Sequence, residues 1–127
     1  MKHTMRLILV LFLIASSSCE SFTGFSCEDT AKTIAPAPDR EYEASVYERD
    51  CGATTDFSTI VNLHLVGEDR TNQNGIVFVA KGQKEVQITW LANRKVNIIC
   101  KDCSSVDIFR NETSWGDVTV SYGESGN

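Results

Sequence analysis

Apolar and polar residues alternate along most of the chain with a period of two, the spacing at which successive β-strand side chains point to opposite faces. Tyr42, Ala44 and Val46 alternate with Glu41, Glu43 and Ser45. In the next run Phe57, Thr59, Val61, Leu63 and Leu65 share one face, and Ser58, Ile60, Asn62, His64 and Val66 share the other. Residues 76–80 are continuously apolar and mostly β-branched, as on a strand covered on both faces. Val86, Ile88 and Trp90 alternate with Gln87 and Thr89, and Val96, Ile98 and Cys100 alternate with Asn97 and Lys101. Shorter runs follow at 106–109 and 118–122. Turn chemistry separates these runs: a polar stretch from Gly67 to Gly75, Gly82-Gln83, and residues 92–95. No helical period is evident beyond the leader. The pattern predicts an all-β domain of six or seven short strands, an antiparallel meander folded as a small sandwich or open barrel.

Two segments precede that domain. Residues 1–18 have the order of a secretory signal peptide, with Lys2, His3 and Arg6, then an apolar run from Leu7 to Ala15, then Ser16, Ser17 and Ser18. The run is shorter than the ~20 apolar residues that span a bilayer. Residues 19–40 read as a tether: serines, acidic residues and the Ala35-Pro36-Ala37-Pro38 stretch show no sustained period, and prolines favour extended backbone. The β domain is then expected over 41–127. The Ala15-Ser-Ser-Ser-Cys19 stretch resembles the processing site of bacterial lipoproteins, in which the cysteine becomes the lipidated first residue. Ser16 stands where such sites usually carry leucine, so cleavage near Ser17 or Ser18 without lipid is the alternative.

One further stretch is distinctive: residues 47–59, centred on Cys51-Gly-Ala-Thr-Thr55 and running into Val61 and Leu63. With Trp90 after a strand and a late Cys100-x-x-Cys103, it resembles a family of small, uncharacterised bacterial exported proteins and proposed lipoproteins with this segment between two strands. That resemblance implies an envelope location, periplasmic or lipid-anchored, or secretion. It implies no activity.

Five cysteines are present. With Cys19 lipidated or removed, Cys27, Cys51, Cys100 and Cys103 remain for disulfides in an oxidising compartment. In a meander, Cys51, Cys100 and Cys103 lie at one end of the sheet, which favours Cys51 bonding Cys100 or Cys103, with Cys27 taking the other. A local Cys100–Cys103 bridge with Cys27–Cys51 is the rival pairing. As Cys-x-x-Cys, Cys100 and Cys103 also admit a thiol oxidoreductase, although reactive pairs sit at helix N-termini and this one follows a strand.

Other chemistry is sparse. His64 reads as an ordinary surface or edge histidine, and Asp50, Thr54, Thr55 and Asp56 as turn-formers around Gly52 rather than a calcium loop. Trp90, Trp115, Phe57 and Tyr122 are explained by core and cross-strand packing. Asn111-Glu-Thr113 matches a glycosylation sequon, read as chance in a bacterial chain. No catalytic, cofactor-binding or metal-binding residue is singled out, and no cofactor is expected. Net charge is −5, and losing Lys2 and Arg6 makes the processed chain more acidic, which disfavours nucleic acid and anionic membrane. Membrane contact is expected only through a lipid on Cys19. The first functional expectation is a non-catalytic, disulfide-stapled exported module that binds a protein or contributes to envelope structure. Its partner is unknown and expected to be basic, and inhibition of a basic hydrolase is one form of the reading.

Overall fold

The computed structural model describes residues 26–123. Within them the chain forms nine strands: β1 (Glu28–Pro36), β2 (Tyr42–Asp50), β3 (Ser58–Leu65), β4 (Ile76–Lys81), β5 (Val86–Ala92), β6 (Lys95–Cys100), β7 (Ile108–Asn111), β8 (Ser114–Trp115) and β9 (Val118–Tyr122). Two short 3-10 turns, Gln73–Gly75 and Ser105–Asp107, lead into β4 and β7. The expected all-β architecture is present as a small sandwich. One sheet has the order β1-β2-β3-β4-β7 and the other β5-β6-β9-β8.

The period of two explains the core. Ala44, Val46, Val61 and Leu63 come from alternating positions of β2 and β3, and they meet Val86, Val96, Ile98, Val118 and Val120 of the second sheet in one cluster. A bulge between β3 and β4 shifts the register from Val61 opposite Phe78 to Asn62 opposite Ile76. The extra residue lets two neighbours, Val77 and Phe78, both join the core. The Tyr122 hydroxyl donates its one proton to the Glu112 carbonyl (2.7 Å) and lies 3.2 Å from the Val77 carbonyl, tying the last strand of one sheet to the other. At the opposite end Arg94, in the β5–β6 turn, reaches Asp39 (3.2 Å), Glu41 (2.6 Å) and Asp117 (3.4 Å) and lies over the Tyr42 ring.

The connectivity departs from a meander at β4, after which the chain passes to the second sheet, and again after β6. The chain crosses to the far edge of the first sheet to form β7, so its return as β9 runs in the same direction as β6, and those two strands pair in parallel. Parallel neighbours need a long crossover, and residues 101–117 supply it.

Residues 28–36 lie within the expected tether yet form β1, a nine-residue strand paired along its length with β2. No apolar alternation marks β1 because it is an edge strand whose residues are mostly exposed. Backbone hydrogen bonds hold it, together with Arg49, whose Nε and Nη2 donate to the two Asp29 oxygens at 2.8 and 3.0 Å. Pro36 ends the strand, where a missing N–H costs nothing to the ladder. Phe57, expected to pack, is 38% exposed just before β3. Cys19 and the expected signal peptide lie outside the described residues.

Candidate functional site: a half-covered sheet face and a groove

The disulfides pair Cys27 with Cys51 and Cys100 with Cys103. This corrects the favoured bond from Cys51 to Cys100 or Cys103. Because residues 28–36 form β1, Cys27 stands directly across from Cys51, one step beyond the Glu28–Asp50 pair, with Cα atoms 4.0 Å apart. Cys100 ends a strand of the other sheet, and Cys103 folds back to it with Cα atoms 5.6 Å apart. Both cystines are consistent with an oxidising compartment. Around Gly52 the turn chemistry is as the residues suggest: Asp50 accepts from the Gly52 N–H (3.0 Å), and the Thr55 hydroxyl donates to the Gly52 carbonyl (3.1 Å).

His64 is not a surface residue. It is 3% exposed, on the face of β2 and β3 that points away from the sandwich core. Register sets it opposite Glu43, with Asn62 opposite Ser45 one step along. His64 Nε2 lies 2.9 Å from Glu43 Oε1, and its Nδ1 lies 3.3 Å from Asn62 Oδ1. The Asn62 amide nitrogen donates to the Asn72 carbonyl at 2.6 Å, which leaves Oδ1 as the atom facing the imidazole. The imidazole is thus held edge-on between two oxygens, Asn62 Oδ1 at Nδ1 and Glu43 Oε1 at Nε2. Arg70 stands 3.6 Å from the same carboxylate oxygen.

The cover over this cluster is the segment between β3 and β4. The Asn72 side chain accepts from the Asn74 N–H, the Asn72 carbonyl also accepts from the Gly75 N–H, and Trp115 Nε1 donates to the Asn74 carbonyl at 2.9 Å. Gly75 fits against the β3 backbone so closely that a Cβ there would collide with the Leu63 carbonyl oxygen and with Asn62 Oδ1. Asp69 is held below the usual carboxylate range, first by the Thr71 N–H and then by the Thr71 hydroxyl.

Beside the cover, the same sheet face opens into a groove of about 620 Å³. Half-buried Ile76 and Val79 line it as apolar surface together with Ile60, which is itself buried, Gln73 and Asn74 form its wall, and Arg49, Phe109 and Arg110 complete the rim. Phe109 and Arg110 are neighbours that a regular strand would point to opposite faces. A bulge between the Val79–Arg110 and Ala80–Ile108 pairs makes Phe109 the extra residue, so both border the groove. Tyr47 is buried on this face with its hydroxyl unpaired among the described residues. Burial raises its pKa, the Arg49 charge opposes the rise, and Asp29 adds to it; the nearby Asn62 amide opposes it without reaching good hydrogen-bond geometry.

The alternation of β2 and β3 signalled only that Glu43, Asn62 and His64 share a polar face. It gave no sign that residues 66–75 would bury that face, and a signal lay only in the register that sets Glu43 opposite His64. In the cluster both imidazole nitrogens face oxygen partners, and the bonds run from strand to strand and on to the cover, so the arrangement ties β2, β3 and the cover together. Among the described residues no helix is long and apolar enough to cross a membrane. No protein family, curated protein or solved structure matches the chain.

Proposed function

We propose that this chain is a non-catalytic, disulfide-stapled exported module that holds a partner protein against the outer face of its five-stranded sheet. The observation that carries the reading is the groove, with Ile60, Ile76 and Val79 beneath a Phe109 that is 65% exposed. Its Gln73–Asn74 wall is fixed from one side by Asn62 through Asn72 and from the other by Trp115. A preformed wall lowers the ordering cost of binding, and an exposed aromatic on a rigid strand suits a protein contact. The cystines and the lipoprotein-like leader support export to a bacterial envelope, where a lipid on Cys19 would tether the module.

Position-specific photo-crosslinking in the exporting cell tests the reading. A photoreactive residue in place of Phe109 is expected to give one discrete protein adduct, and the same residue at the exposed Leu91 of the second sheet is expected to give none. No adduct at 109, or equal adducts at both positions, contradicts the proposal.

A second reading, thiol oxidoreductase, is favoured by one observation: Cys100 and Cys103 bond to each other, as a redox pair would. Against it, the pair follows a strand, and the 3-10 turn after it begins only at Ser105. Lys84 Nζ, which reaches the Asp102 carbonyl between the two cysteines (2.9 Å), is also taken up by Asp107 (3.4 Å), and Lys101 Nζ by Glu85 (3.0 Å). Alkylation after equilibration with glutathione separates the two readings. A Cys100–Cys103 bond that resists reduction while the fold persists supports a staple, and one reduced reversibly supports redox chemistry.

A further inference from the structure

We infer that the groove is built for an acidic, aromatic-bearing segment of the partner, opposite in charge to what the chain's net −5 suggests. The inference rests on the protein-binding reading and names its ligand chemistry. Two arginines border the groove, but they are not equivalent. Arg49 is neutralised by Asp29 through paired hydrogen bonds of 2.8 and 3.0 Å. Among the described residues Arg110 has no ion pair with a carboxylate, and its one side-chain bond there is a 3.3 Å contact to the Ile76 carbonyl. The groove therefore presents one uncompensated cation beside apolar side chains. Charges more than a Debye length away, ~8–10 Å, are largely screened. The net charge of the whole chain therefore does not by itself set the field at Arg110.

The strand spacing sets the ligand's dimensions. From Arg110 on β7 across β4 to Ile60 on β3 is two strand spacings, ~10 Å. An extended chain covers that in about three residues. The segment that fits carries a carboxylate for Arg110 and a large apolar residue two or three positions away for Ile60, Ile76 and Val79. Ser58, Gln73 and Asn74 add hydroxyl and amide groups able to bond a peptide backbone. A phosphate-bearing lipid or nucleotide fits less well, because phosphate sites gather several cations or backbone N–H groups and, among the described residues, this groove has one free cation.

The test uses the disulfide-bonded protein and three acetylated, amidated tetrapeptides: Asp-Gly-Phe-Leu, Lys-Gly-Phe-Leu and Asp-Gly-Ser-Ser. The first is expected to give saturable NMR shifts at Ile60, Ile76, Val79, Phe109 and Arg110, with the other two weaker by about tenfold. Arg110→Glu, on an exposed edge strand, should keep the fold and reverse the order of the Asp and Lys peptides. Equal binding of the Asp and Lys peptides, shifts elsewhere, or an unreversed preference in folded Arg110→Glu overturns the inference. So does binding of anionic phosphatidylglycerol vesicles in preference to the acidic peptide. Each of these results, set beside a discrete adduct at position 109, would sink the acidic ligand alone; loss of that adduct would sink the protein-binding reading itself.

Discussion

The hairpins β2–β3 and β5–β6 carry the same alternating pattern and end in different environments. In β5–β6 one face enters the core through Val86, Val96 and Ile98, while Gln87, Thr89 and Leu91 remain in solvent. In β2–β3 both faces are buried, down to Glu43, Asn62 and His64. The difference lies in the connection that follows each hairpin's second strand. After β3, residues 66–75 fold back over the sheet, with Gly75 against the strand and Asn72 bonded to Asn62. After β6 the chain leaves for the opposite sheet. Burial of a polar face is thus a property of the connection, and Glu43, Asn62 and His64 offset its cost by bonding one another and the cover, while the Ser45 and Tyr47 hydroxyls on the same face stay unpaired among the described residues.

The comparison can be broken at its strongest point with Glu43→Ala, which leaves the buried His64 without its carboxylate. A loss of about 3 kcal/mol is expected in chemical unfolding, because removing one partner of a buried pair strands the other. Gly75→Ala comes next, at about 2 kcal/mol, as the added methyl has no room between the Leu63 carbonyl and Asn62.

A smaller effect is expected from Asp69→Asn, read from the acid limb of the stability curve. The folded chain holds Asp69 below its ordinary range through Thr71. Its contribution is therefore present above about pH 4, the ordinary aspartate region, and is lost as pH falls through the depressed value. The variant should flatten that part of the acid dependence. Smallest of all is Thr89→Val on the exposed face of β5, expected to stay within about 0.5 kcal/mol. A loss there as large as that of Glu43→Ala would erase the distinction between the hairpins.

What the residues disclosed follows from what alternation encodes. The apolar positions of β2, β3, β5 and β6 named seven of the twelve core residues, and the apolar runs of β4 and β9 supplied Val77, Phe78, Ala80, Val118 and Val120, because hydrophobic burial is read from side-chain type and spacing alone. Strand β1 was hidden since an edge strand exposed on both faces needs no apolar period and was masked by Pro36 and Pro38. The disulfide pairing was misjudged for a connected reason: with residues 28–36 read as tether, Cys27 had no fixed place, and a single meander put Cys51 near Cys100. His64 was misread because its burial depends on a polar connection rather than on its strand. The groove combines side chains from four strands with a bulge at Phe109, and neither strand order beyond β4 nor the bulge is encoded in local pattern.

The account turns on the buried cluster fixing the Gln73–Asn74 wall in place, and residue-resolved amide hydrogen exchange in the wild type and in Glu43→Gln measures this directly. The expected result is accelerated exchange at Asn74 and Gly75 by about tenfold or more in the variant, with Val96 and Ile98 in the other sheet unchanged. Unchanged exchange at Asn74 and Gly75, or a uniform acceleration across both sheets, would contradict it.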